Sequence, residues 1–421
     1  MKEIYLDNAA TTRVDERVVK KMLPYFTEIY GNANSQHGYG RAAQEAVDEA
    51  RDTIAKIIGA KPAEVYFTSG GTESDNWALR GTCKAQAHKG KHVIISKIEH
   101  AAMLTTAHEL EKEGFEFSYI GVDSEGFINL DELEKAIRPD TILIACMYAN
   151  NEVGTIEPIK EIVKIAKKHN ITVFTDAVQA MGAIDINVDE LGVDLMSFSS
   201  HKFHGPKGMG ALYIRTGVPL ARLISGGHQE RTRRGGTTNV PGVVGFAEAL
   251  RLTREDLEKD SKYVASLRDR FISRVQNEIP YVRLNGPKDG SKRLPNNADF
   301  SFEYIEGESI LFSLDLAGIA VSSGSACSSG ELMDQRILSL DLAGIACSSG
   351  SACSSGSLEP SHVLLATGLP IEKAHGSIRF TFGKENTVEE VDYTVDKLKE
   401  IVARLRAMSP LFDLKGELKN V

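Results

Sequence analysis

The chain has 421 residues, of which 42% are hydrophobic and 25% charged, and its formal net charge is −9. At roughly 150 residues per domain this predicts two or three domains, and it excludes intrinsic disorder, a collagen-like fibre and a small disulfide scaffold. The acidic balance argues against nucleic acid as a partner, but a local pocket can still hold a small anion.

In chain order, the first stretch MKEIYLDNAATTRVDERVV lacks the long apolar run of a signal peptide. Apolar runs such as TILIACMYA are too short to span a bilayer, so a cytoplasmic protein without a membrane segment is expected. GRAAQEAVDEARDTIAKIIG has helical periodicity and stops at Gly59. EVYFTSGGTES reads as strand, glycine turn and helix start, and KHVIIS as a buried strand. AAMLTTAHELEKEG is a helix, FEFSYIGV a strand, DTILIACMYANNEVGT a strand with its loop, and IKEIVKIAKKHN a helix. ITVFTDAVQ, DLMSFSSHK and GMGALYIR complete a run of short apolar segments alternating with helices. That alternation predicts an α/β domain on a mostly parallel sheet.

From about residue 250 the pattern changes. A charged helix over 246–278, interrupted near Thr253, leads to NNADFSFEYI, then to SIRFTFG and a last amphipathic helix. We read a large domain over 14–250 and a smaller α+β domain formed by 1–13 with 251–421. Within the latter, 313–330 (SLDLAGIAVSSGSACSSG) recurs at 339–356 with one change, Val321 against Cys347. Two near-identical copies indicate a duplication, not a solenoid.

Several polar residues follow the strands, where open α/β sheets collect ligands. Gly71 and Thr72, in SGGTES, offer a helix N-terminus to a phosphate, or else a capping box. Asp176, ending ITVFTD, needs a cation or donor, or else caps a helix. Lys202, after FSSH, is either a solvated loop charge or a desolvated amine fit for Schiff-base chemistry. His100 suits proton transfer near neutral pH, or a structural role. Five cysteines form no CxxC pair, which disfavours a disulfide framework in a reducing compartment. A cysteine in SSGSACSSG sits among residues too small to pack. It suits a mobile nucleophile, or lies incidentally in a linker.

Taken in order, YLDNAATT, GNANSQHG, FTSGGTESDN, IEHAAM, ANNEVGT, DAVQ, SFSSHKFHGPKGMGALY, GGHQERTRRGGT, NVPG, SSGSACSSGSLEPSHVL and HGSIRF cover nearly the whole chain. With these motifs the chain resembles the pyridoxal-phosphate-dependent cysteine desulfurases of the NifS/IscS type, class-V aminotransferases of PLP fold type I. The resemblance implies a large domain with a mostly parallel seven-stranded sheet between helices, plus a smaller C-terminal α+β domain. It implies pyridoxal 5'-phosphate as cofactor, held covalently by Lys202, with Asp176 on the pyridine nitrogen and His100 over the ring. Gly71, Thr72, Ser199 and His201 would hold the phosphate, with Thr237 given by the second subunit of a homodimer. Asn151 and Gln179 would bond the ring substituents, and Arg379 the carboxylate of L-cysteine. The loop cysteine would take the sulfur as a persulfide, releasing alanine, and pass it to an iron–sulfur scaffold of the IscU/NifU type. No intrinsic metal is implied, although Cys353 or Cys327 would be placed to act as a transient cluster ligand.

The family has one cysteine loop where this chain has two. Cys327 has family-like sequence before it and Cys353 has it after. Continuity with the downstream helix favours Cys353, with ELMDQRILSLDLAG replacing GESILFSLDLAG before the strand. Cys347 then serves packing. Other outcomes of the same resemblance are a selenocysteine lyase, an aminotransferase, or a scaffold impaired by the duplication. A phosphate-binding α/β protein without the cofactor is the outcome if the resemblance fails.

Overall fold

The protein is described from a computed structural model, which covers residues 3–323, 360–409 and 412. A short strand β1 (Ile4–Tyr5) comes first. The main sheet follows: β2 (Val65–Thr68), β3 (His92–Ser96), β4 (Glu116–Ile120), β5 (Thr141–Ala145), β6 (Thr172–Asp176), β7 (Leu195–Ser199) and β8 (Gly210–Ile214). Four more follow among the described residues: β9 (Val282–Asn285), β10 (Asn297–Phe302), β11 (Ile319–Ala320) and β12 (Ser377–Thr381).

The seven strands run in the order β2-β8-β7-β6-β5-β3-β4. Only β8 is reversed, being antiparallel to both neighbours. The other six therefore deliver their carboxyl ends to one edge, and that edge carries the site. Side chains alternate across the sheet. Ile94, Ile144, Val173 and Met196 meet the helices Gly38–Ile58 and Ile159–Lys168 on one face. Val93, Leu143, Phe174 and Leu195 meet Gly71–Gln86 and Ala101–Lys112 on the other. Strands buried on both faces explain why their sequences read as continuous apolar runs. Gly38–Ile58 stops where Gly59 turns left-handed, φ 71°, as its sequence predicts.

The smaller unit sets the sheet β12-β10-β9 against the helix Val388–Met408. Phe271, Phe300, Phe380 and Phe382 pack at its centre, each burial worth about 2 kcal/mol. Ile4 and Leu6 join this cluster, and β1 pairs in parallel with β11.

Two sequence expectations need correction. The helix expected over 246–278 with a break near Thr253 is a continuous helix, Val240–Glu278. Val243, Phe246 and Leu250 belong to the large core, and Val264, Leu267 and Phe271 to the small one. The turns between them bridge two cores and lose the apolar stripe, which reads as an interruption in sequence. The second correction concerns the duplication. The helix Gly307–Leu316 and β11 come from the first copy, not the second. Leu314, Ile319 and Val321 fill the small core, and the chain reaches them directly from β10. The second copy, with Cys347 and Cys353, and Cys327 of the first copy lie outside the described residues.

Candidate active site

Lys202 closes a short turn, Ser200–Lys202, directly after β7. Its Nζ donates to the carbonyls of Ala9 at 2.5 Å and Ala10 at 2.9 Å. Gln179 Nε2 donates to the same Ala9 carbonyl at 2.9 Å. The N-terminal segment is thus drawn onto the carboxyl edge of the sheet. It is tied on its other side by Ala9 N–H to Thr381 Oγ1 and Asn8 Nδ2 to the Thr381 carbonyl.

Asp176 is the last residue of β6 and is buried. Its Oδ1 accepts the Val178 N–H at 2.8 Å. No helix starts there, so the capping alternative does not apply. Burial pushes its carboxyl above the ordinary range. The Val178 N–H and the Lys202 charge pull it back towards ionisation. His100 starts the helix Ala101–Lys112, where its Nδ1 accepts the Ala102 N–H at 3.1 Å. An accepting Nδ1 leaves the ring proton to Nε2.

Gly71 opens the helix Gly71–Gln86, whose N-cap Gly70 provides no side-chain acceptor. This is not a capping box. The first N–H groups of a helix lack intrahelical partners and suit an anion. A Cβ on Gly71 would stand 2.8 Å from Val178 Cγ2, and one on Gly210 would strike the Gly70 backbone at 2.7 Å. Glycine alone keeps this cradle open. Thr72 is exposed at its rim and Ser199 is buried beneath it. His201 faces Thr11 Oγ1 at 3.2 Å. Burial and the neighbouring Lys202 hold its imidazole down to about 4, so it is neutral at physiological pH.

Asn151 and Arg379 meet at the boundary with the small unit. Arg379 is fully buried. Its Nη1 donates to the Asn151 carbonyl at 3.0 Å, and its Nη2 reaches Ser322 Oγ at 2.7 Å and Asp7 Oδ1 at 3.1 Å. Among the described residues its buried Nε has no acceptor. A guanidinium N–H without a partner in a closed site fits a carboxylate ligand. Beyond the duplicated segment, Ser361 donates to the Glu152 carboxylate, and His362 Nε2 lies 3.0 Å from the Glu99 carbonyl. Ser322, within the first copy, and Ser361, beyond the second, are therefore both fixed beside Asn151.

Thr237 lies apart. It is exposed, and among the described residues no hydrogen bond of the pocket includes it. Its loop is tied to the cradle by Arg234, which pairs with Glu73 at 2.9 Å. Sequence reasoning gave no role to Asp75, Ser197, Glu99 or the Ala9 and Ala10 carbonyls. The two described cysteines are poor nucleophiles. Burial pushes the Cys83 thiol up to about 12 and the Cys146 thiol well above its ordinary value.

One buried carboxyl beside the site gives a pH test. Burial raises Glu157 to about 8 from an ordinary 4.5, with Asp123 adding to the shift. The neutral form is the one the fold tolerates. Its contribution is complete below about pH 4.5 and is lost as pH rises to about 8. Glu157→Gln is expected to flatten the fall in Tm across that window and to exceed the parent's Tm above it. A Tm profile parallel to the parent's would show that Glu157 does not titrate there.

The residues present fit pyridoxal 5'-phosphate: a glycine cradle at a helix N-terminus, a buried carboxylate flanked by His and Lys, and an arginine with an open N–H. Comparisons with known proteins agree. Residues 4–339 match the aminotransferase class-V family. The chain is 52% identical to the cysteine desulfurase IscS of Dictyoglomus turgidum over 409 residues, 97% of each protein. Among solved structures, a NifS-like protein superposes with a TM-score of 0.84 at 40% identity, covering 96% of this chain and 100% of its own. SspA, solved in complex with cysteine, superposes with a TM-score of 0.75 at 32% identity, covering 91% and 100%. The chain belongs to the class-V aminotransferases, in their group of NifS/IscS-type cysteine desulfurases.

Proposed function

We propose that the protein is a pyridoxal-phosphate-dependent cysteine desulfurase. It converts L-cysteine to L-alanine and keeps the sulfur as a persulfide on a loop cysteine. The observation that carries this reading is Asp176, buried at the end of β6 and facing both His100 and Lys202. When bound, the cofactor would supply an electron sink for the pair left at Cα.

The chain's own residues do the rest. Lys202 would anchor the cofactor, and its amine, once displaced by substrate, would take the Cα proton. Asp176 would hold a positive charge at the pyridine nitrogen. His100 would lie against the ring and move protons through Nε2. Gly71, Thr72, Ser199 and neutral His201 would donate to the phosphate. Thr237 would do so in a second copy of the chain, making the working unit a homodimer. Asn151 and Gln179 would orient the ring, and Arg379 would grip the substrate carboxylate.

A loop thiolate would attack the substrate sulfur. One S–S bond forms, the C–S bond breaks, and the carbon fragment leaves as alanine after protonation. Cys327 is separated from the fixed Ser322 only by SGSA, and Cys353 from the fixed Ser361 only by SSGSLEP. Each is only a few residues along the chain from one anchored serine, so both are candidates. In this reading, 14–250 is the cofactor domain, and 1–13 with 251–421 the domain that carries the cysteine. The protein would work in the cytoplasm and deliver sulfur to an iron–sulfur scaffold of the IscU/NifU type.

The test is to assay purified protein with L-cysteine, with and without added pyridoxal phosphate. Equal amounts of alanine and sulfide under a reductant, dependent on the cofactor, are expected. Cofactor-dependent turnover that yields pyruvate, or no alanine at all, would overturn the reading.

A further inference from the structure

Two buried carboxyls stand one behind the other in the pocket. Asp75, on the helix Gly71–Gln86, and Asp176, at the end of β6, are 1% and 5% exposed. Ser197, at the centre of β7 and fully buried, lies between them. Its Oγ is 2.5 Å from Asp75 Oδ1 and 3.5 Å from Asp176 Oδ1. Two carboxylates this close and shut off from water do not both ionise. They share one proton and titrate as a pair.

The surroundings decide which one carries that proton. Asp176 accepts the Val178 N–H and faces the Lys202 ammonium, with the neutral His100 ring nearby on a separate element. The groups facing Asp75 are Ser197, Asp176 and the buried carboxyl of Glu99. Charge therefore belongs on Asp176 and the proton on Asp75.

We propose that Asp75 is a positioning residue of the cofactor pocket, a neutral carboxylic acid that acts on Asp176 through the Ser197 hydroxyl. Asp75 donates to Ser197 Oγ, and Ser197 donates to Asp176 Oδ1. This relay stabilises the Asp176 carboxylate and aims it at the space where a pyridine nitrogen would lie. Burial first, and then the Asp176 charge, both push the Asp75 carboxyl well above its ordinary range, in keeping with this assignment. The inference rests on the proposed cofactor role of Asp176, and its first readout does not need the cofactor.

That readout is carbon NMR of carboxyl-labelled aspartate in the cofactor-free protein. Asp75→Leu and Ser197→Ala each cut the relay, and either is expected to raise the Asp176 midpoint by about one pH unit. Asp75→Asn keeps an N–H donor in place and is expected to restore the parent midpoint. If Asp75 were instead ionised, Asp75→Leu and Asp75→Asn would both lower the Asp176 midpoint. If Asp75 only fills space, none of the variants would move it. Either result overturns the proposal. Ser197→Ala covers the case in which Asp75→Leu does not fold. The second readout is nitrogen NMR of ring-labelled pyridoxal phosphate bound to the dimer. In Asp75→Leu and Ser197→Ala the pyridine nitrogen should lose part of its protonated character, and in Asp75→Asn it should keep it. Failure of the parent protein to bind pyridoxal phosphate would defeat the functional reading while leaving the first readout to decide the relay.

Discussion

Replacing Lys202 with alanine is expected to reduce alanine formation from L-cysteine at least about a thousandfold, because it would remove both the proposed cofactor anchor and the proposed proton acceptor. The fold should survive. The described hydrogen bonds of Lys202 run to two carbonyls, Ala9 and Ala10. Losing them costs about 1 to 3 kcal/mol. Arginine should not rescue, since its guanidinium stays protonated and cannot serve as nucleophile or base. Borohydride reduction of the loaded parent, followed by peptide mapping, should place the cofactor on the Lys202 peptide and nowhere else. A Lys202→Ala variant with even a tenth of the parent turnover would remove this lysine from the chemistry.

Arg379→Ala should weaken both stability and substrate use. The guanidinium is fully buried and ties Asp7, Ser322 and Asn151 together. Breaking a buried pair by deleting one partner costs about 3 to 5 kcal/mol. Asp7 keeps 19% of its side chain in contact with solvent, so the lower end of that range is expected. The larger consequence is for L-cysteine. Losing the charged donors should raise KM roughly a hundredfold. Arg379→Lys separates the two effects. It keeps a charge near Asp7 and should recover stability. A single ammonium does not reproduce the guanidinium fork, so KM should remain high. A KM unchanged in both variants would assign Arg379 to interdomain packing alone.

The sequence reveals what depends on local chemistry. The apolar runs of β3, β5, β6 and β7 and the glycine stop at Gly59 are local, and they predict the layers and the edge where ligands collect. Lys202, Asp176 and His100 each end or follow a strand, so their shared location is visible before any coordinates. Asp75 and Ser197 are not visible in this way. Each reads as an ordinary polar residue, and their meaning comes from a contact between elements 122 positions apart. Arg379 is similar, since its partners Asp7 and Ser322 lie 372 and 57 positions away. The long helix Val240–Glu278 looks interrupted because its middle turns serve neither core. The two loop copies are indistinguishable locally. The pairing of Ile319 and Ala320 with β1, together with the packing of Leu314 and Val321, selects the first copy for the strand. That pairing joins Ile4 to Ile319 across most of the chain, and no local pattern records it.

The most direct test of the central claim is to mix the cofactor-loaded protein with L-cysteine and map persulfide on its peptides by mass spectrometry. The Cys327 and Cys353 peptides differ in their following residues, ELMDQR and SLEPSH. Persulfide on Cys327, Cys353 or both is expected, in amounts matching the alanine formed, with Cys83 and Cys146 unmodified. Alanine without persulfide on either loop cysteine, or persulfide confined to Cys83 or Cys146, would contradict the account.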